Sequence, residues 1–222
     1  MWPIFYTAEL DYPQSDLDEF IDWYAFRHAP DLFRAGFQTW TCYRAVEGGM
    51  GLIDFYEAPN WEIFNTTQYR EMGPRDRYCT RILQKRLDKT HTVYAQKHIM
   101  PGATTEVAPS LHADWISLAR FSATPATERG IVDWLKKDEG ARLLGLGATR
   151  VRIASRTVDH PVYPTHRPRC LLLAEWRDKP SPQACLVPQL TSKFGGTVSD
   201  LDAFVGHRLY PWTDEPMSGI RP

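Results

Sequence analysis

The sequence predicts an α+β protein made of two βαββαβ units whose antiparallel sheets pack into a barrel. Three observations carry this expectation. A segment recurs at an offset of 111 residues, β-rich and helical segments alternate in the same order in both halves, and the apolar content suffices for a large core. Of 222 residues, 43% are hydrophobic and 13% aromatic, which excludes intrinsic disorder and supplies rings for a pocket.

The repeat is read from Asp22-Trp23 through Gly36 set over Asp133-Trp134 through Gly147, which align without a gap. An alternating segment follows each copy at once, Phe37 to Ala45 and Ala148 to Arg156. Leu52 to Pro59 then matches Leu173 to Pro180 once a longer loop in the second copy is allowed for. The organisation expected is a first unit over 1–99, a breaker-rich linker over 100–111 and a diverged second unit over 112–222.

Element by element, Ile4 to Leu10 and Trp115 to Ser122 are β-rich openings. Ser15-Asp16-Leu17-Asp18 has capping-box form, and Leu17, Phe20, Ile21 and Tyr24 follow at the spacing of a buried helical stripe. Pro30 is expected to end that helix, because the residue before a proline is pushed out of the α region. Gly36 turns the chain into the second strand, and Glu47-Gly48-Gly49 forms a hairpin into Leu52 to Glu57. Asn60 caps a helix over Trp61 to Glu71, broken by Gly73-Pro74 before a second piece with Tyr78, Cys79, Ile82 and Leu83 on one face. Thr90 to Gln96 closes the unit, whose order is the ferredoxin-like split βαβ arrangement. In the second unit Pro188 and Gly195-Gly196 weaken the last helix.

Glu19-Phe20-Ile21-Asp22-Trp23-Tyr24-Ala25-Phe26-Arg27-His28-Ala29-Pro30, followed by Gly36-Phe37 and a strand ending Tyr43-Arg44, resembles the dimeric α+β barrel superfamily, and within it the EthD-like branch. Leu52 to Glu57 and Tyr69 also suit that branch. The resemblance implies two ferredoxin-like units with their sheets face to face and helices outside, here fused in one chain. It implies chemistry only broadly, because members include cofactor-free monooxygenases, cyclases, decarboxylases, isomerases and, further off, haem enzymes.

His28 is the first catalytic candidate. At 100° per residue it falls within about 20° of Leu17, on the buried stripe, where an imidazole can act as general acid or base. The alternative is a core histidine bonded to a carbonyl at the helix end. The matching position of the second copy is Glu139, so only the first unit reads as site-bearing. Asp54, mid-strand among apolar residues, is the second candidate: it either orients His28 or holds a substrate hydroxyl, or else faces outward and is solvated. Tyr6, Tyr24, Trp40, Tyr43 and His91 are candidate substrate contacts, with Tyr94 a further ring from the same strands. Because strand phase is open by one residue, about half of the strand rings are expected to face elsewhere. Trp23 is expected to pack at the rim of helix and sheet.

His91 with His98, or His160 with His166, lacks metal-ligand spacing, and the four cysteines stand apart, so no metal is expected and the cysteines read as reduced packing residues. The run Arg75, Arg77, Arg81, Lys85, Arg86 reads as a solvated helix face. No phosphate-cradling loop, nucleophile elbow or H-E-x-x-H occurs. With 26 basic and 27 acidic residues, nucleic acid and membrane are poor partners. Without a leader-like N-terminus or a long apolar run, the expected setting is cytoplasmic, with a homodimer left open. The function expected is a cofactor-independent enzyme that uses a histidine to move a proton on a small aromatic or polyketide-like compound. A haem enzyme of the same broad fold and a non-catalytic binding protein are the alternatives.

Overall fold

A computed structural model describes residues 3–72, 77–101 and 110–210. Its strands are β1 (Ile4–Asp11), β2 (Thr39–Glu47), β3 (Leu52–Ala58), β4 (Asp88–Met100), β5 (Trp115–Ala123), β6 (Ala148–Ser155), β7 (Cys170–Trp176) and β8 (Val198–Tyr210). Its helices are α1 (Leu17–Trp23), α2 (Ala29–Ala35), α3 (Thr67–Arg70), α4 (Arg77–Gln84), α5 (Pro125–Trp134), α6 (Gly140–Gly145) and α7 (Leu186–Phe194). The strands close into an antiparallel barrel in the order β1-β3-β2-β8-β5-β7-β6-β4. Each half supplies four neighbouring strands, β4-β1-β3-β2 and β8-β5-β7-β6, and the halves join through β2–β8 and β4–β6.

Residues alternate between two buried faces, so β3 and β7 are buried at every position. One face fills the barrel with Phe5, Tyr43, Phe55, Tyr94, Ile116 and Leu171. The other face lies under the helices and forms a separate apolar cluster in each half. Charges share the barrel interior. Arg120 bonds both Glu9 oxygens at 2.7 and 2.8 Å, and Arg152 donates to Glu175 at 2.6 Å and to Gln96 at 3.0 Å. Glu9 and Arg120 are equivalent positions of the two halves, so the aligned register places opposite charges where the sheets meet.

Pro30 does not end the first helix. The chain makes a wide π-turn at Tyr24–His28 and continues as α2 to Ala35, with the Ala29 N–H bonded back to the Tyr24 carbonyl. That widened turn admits the proline ring, which would meet the carbonyl four residues earlier in a regular α-helix. The second half has the same turn at Leu135–Glu139, where Ala141 stands in place of the proline, so the proline uses the turn and does not create it. Gly36, at φ 107°, then ends α2 in a conformation that L side chains rarely adopt.

Other expectations shift locally. Asp16 makes no side-chain cap; a short 3-10 turn over Gln14–Asp16 precedes α1, and the Asp16 carboxylate pairs with Lys85 at 2.8 Å. Asn60 does accept from the Glu62 N–H, but it starts a 3-10 turn, and Thr66 caps α3 afresh. Pro188 sits in the first turn of α7, where a missing N–H costs little. Of the expected linker, Met100 ends β4, and Leu111 packs in the barrel with its N–H on Glu57 at 3.0 Å. Residues 102–109, Gly73-Pro74 and Arg75 lie outside the described residues, as do the side chains of Arg77, Tyr78 and Cys79. Cys42 and Cys170 are buried free thiols, whereas Cys185 is exposed.

Candidate functional site

A cavity of about 470 Å³ lies between the helix-facing side of the first half's sheet and its helices. The strands contribute Tyr6, Ala8, Tyr56 and His91; the wide turn contributes Tyr24 and His28. Phe64 and Tyr69 close one side, and His160 and Tyr163 reach in from the loop between β6 and β7. His28 is half-buried at the last position of the π-turn, its ring stacked on Trp23 at 4.8 Å and edge-on to Tyr24 at 4.7 Å. Trp23 thus meets the candidate histidine while remaining packing.

Four candidates from the sequence, Tyr6, Tyr24, His28 and His91, line this cavity. Trp40 and Asp54 stand behind Tyr24 in a chain of contacts. Tyr56 donates to the Tyr24 oxygen at 2.7 Å, Tyr24 packs on Trp40 at 5.0 Å, and the Trp40 indole donates to Asp54 at 2.9 Å. Asp54 is wholly buried, which overturns its reading as a solvated residue. Burial pushes its pKa up to about 7, opposed by hydrogen bonds from Trp40, Cys42 and Tyr24. Tyr43 is misplaced as a substrate contact. It lies three residues from Trp40, so strand alternation puts it on the opposite face, inside the barrel, where it donates to the Ala113 carbonyl at 3.0 Å. Tyr94 faces inward for the same reason.

Sequence reasoning missed His160, Tyr163, Phe64 and the cavity-lining Arg70 and Arg86. The available signal was the longer β6–β7 loop of the second half, which folds across onto the first half. The basic run divides accordingly. Lys85 pairs with Asp16 and Glu19, Arg81 pairs with Glu19, and Arg86 turns to the cavity.

The histidines differ in setting. His91 is held down to about 3, chiefly by burial and then by the neighbouring His160, Lys89, Arg86 and His28, and burial holds His160 at about 4. Both are neutral near pH 7. The Tyr6 hydroxyl is 2.8 Å from His91 Nδ1, and the Tyr69 hydroxyl is 2.8 Å from His160 Nε2. His160 Nδ1 accepts from the Val162 and Tyr163 N–H groups at 3.1 and 3.0 Å. Burial also raises the Tyr6 and Tyr69 hydroxyls, so the tyrosines are protonated. Among the described residues no group of three His, Cys, Asp or Glu side chains is arranged to hold a metal ion. In the second half the π-turn glutamate, Glu139, is instead buried against Arg142.

No protein-family model matches the sequence, and no match is found among curated protein sequences. Solved structures do match in fold. An anthrone oxidase-like protein aligns at TM-score 0.59 and 11% identity, over 93% of this chain and 92% of its own. A candidate monooxygenase from Lactobacillus acidophilus aligns at 0.56 and 11%, over 93% of both chains. A haem-binding protein from Thermus thermophilus aligns at 0.52 and 13%, over 94% of this chain and 91% of its own. At such identities the likeness is one of fold, and the fold is the α+β barrel that these proteins share. Among the described residues no helix is long and apolar enough to cross a membrane.

Proposed function

We propose that this chain is a cofactor-independent enzyme acting on a small aromatic or polyketide-like compound, with His28 moving a proton at carbon or oxygen. One observation carries the reading. His28 is presented by a π-turn to an aromatic-walled cavity whose other two histidines are locked neutral, which leaves the general acid–base role to it. Tyr24, in the same turn, packs edge-on to His28 and positions it, with Asp54 behind Tyr24. The names of two fold neighbours, a monooxygenase and an anthrone oxidase-like protein, support oxygenation as the reaction. We further read the chain as two fused units of EthD-like type, working in the cytoplasm. Oxygen uptake and absorbance loss with anthrones and hydroxynaphthalenes test the activity. His28→Ala and His28→Gln are expected to lose about 10²-fold in rate with thermal unfolding little changed. Full activity in His28→Gln would make the histidine structural.

A second reading, haem binding, is supported by the buried Nε2 of His91, which has no hydrogen-bond partner and would hold the iron only in the other tautomer, with the ring proton on Nδ1 toward Tyr6. His160 fits that role poorly, since both its nitrogens are engaged. Haemin titration decides it: a Soret band lost in His91→Ala supports haem, and no band removes the reading.

A further inference from the structure

The hydrogen bonds on the cavity wall have a direction. His160 Nδ1 faces two backbone N–H groups, which can only donate, so that nitrogen carries no proton. The neutral ring therefore holds its proton on Nε2 and gives it to the Tyr69 oxygen. The Tyr6 hydroxyl lies 2.8 Å from His91 Nδ1; a phenol donates better than a neutral imidazole N–H, and an imidazole nitrogen accepts better than a phenol oxygen, so Tyr6 donates to His91 Nδ1. With Nδ1 accepting, the neutral His91 ring carries its proton on Nε2, which is buried and has no acceptor among the described residues. A buried N–H without a partner is uncommon and costly, and this one belongs to a ring on the cavity wall.

The rest of the wall also lacks acceptors of charge. Among the described residues that line the cavity none is Asp or Glu, while Arg70 and Arg86 are present. A single N–H among aromatic rings matches the single oxygen of an ionised aromatic hydroxyl.

We propose that His91 Nε2–H is a fixed hydrogen-bond donor that binds the substrate's phenolate or enolate oxygen, so that the cavity selects hydroxylated aromatics in their anionic form. This deepens the functional reading above and rests on the cavity being the substrate site. His91 acts by binding and stabilising negative charge at oxygen, while proton transfer stays with His28.

Two measurements test it. In the wild-type protein, histidine ¹⁵N NMR is expected to show His91 protonated at Nε2 and bare at Nδ1 across neutral pH; a proton on Nδ1, or an imidazolium, overturns the proposal. The second uses 4-nitro-1-naphthol, whose visible absorbance belongs to its anion. Binding is expected to raise the anion-to-neutral ratio about tenfold or more, a shift of one pH unit in its titration. His91→Phe, which keeps a ring in place, should abolish that shift, and Tyr6→Phe should reduce it. A bound probe that stays neutral, an undiminished shift in both variants, or tighter binding of 1-naphthoate than of the naphthol overturns it. The methyl ether of the probe separates the two readings. If the ether binds and the naphthol shows no anion preference, this assignment fails while the cavity reading stands; if neither binds, both fall.

Discussion

Replacing Asp54 with Asn should stabilise the protein, and more so as pH rises. The carboxyl is wholly buried and accepts the Trp40 indole N–H at Oδ1. Its pKa is raised from 3.8 to about 7 in the fold. Between those values the folded state binds the proton and the unfolded state does not, so stability falls with rising pH across that window and levels off above it. At about 1.4 kcal/mol per pH unit, the whole window is worth about 4 kcal/mol. The part between about pH 5 and about pH 7 is worth about 3 kcal/mol. Asn keeps the acceptor for Trp40 and cannot ionise. Urea unfolding of both proteins at about pH 5 and about pH 8 isolates the term, because other groups cancel in the difference. The advantage of Asp54→Asn over wild type should grow by about 3 kcal/mol between the two conditions. An advantage that is unchanged, or that shrinks with pH, refutes the picture of a carboxyl kept neutral by burial.

Other outcomes follow from neighbouring features. Glu9→Gln leaves the buried Arg120 guanidinium without its full countercharge and should cost about 3–5 kcal/mol by chemical denaturation, with Arg120→Met added to it restoring much of the loss. Gly36→Ala has room for its methyl group, whose nearest neighbour is Ile63 Cδ1 at 3.7 Å, so its cost should be backbone strain alone, about 1–2 kcal/mol in thermal unfolding. Together with the His28 and His91 substitutions, these separate the stability of the barrel from the chemistry of the cavity.

Much of the architecture was legible because hydrophobic period and breakers report it directly. Leu17, Phe20 and Ile21 mark the helical stripe, and the offset of 111 residues carries through to both π-turns. The turns themselves were invisible, since no residue type enforces them, and so Pro30 was read as a stop. Within the site, positions on one helix were readable by phase, as His28 and Tyr24 show. Strand positions were readable only to within a face, which is why Tyr43 and Tyr94 fell inside the barrel. His160 and Tyr163 reach the cavity from 91 and more residues beyond Tyr69, through a loop with no periodicity to interpret.

Closure of the barrel has a consequence for how the chain is made. The strands β2 and β4 of the first half find their outer partners only in β8 and β6, and β8 is the last strand described. As the polypeptide leaves the ribosome, the first four strands can pair among themselves while both outer edges stay unpaired, each a template for another chain. The β2 edge waits until the ribosome has passed Tyr210. A nascent chain stalled before Val198 should therefore aggregate or need a chaperone, whereas in the finished barrel each described strand has a partner strand on both sides.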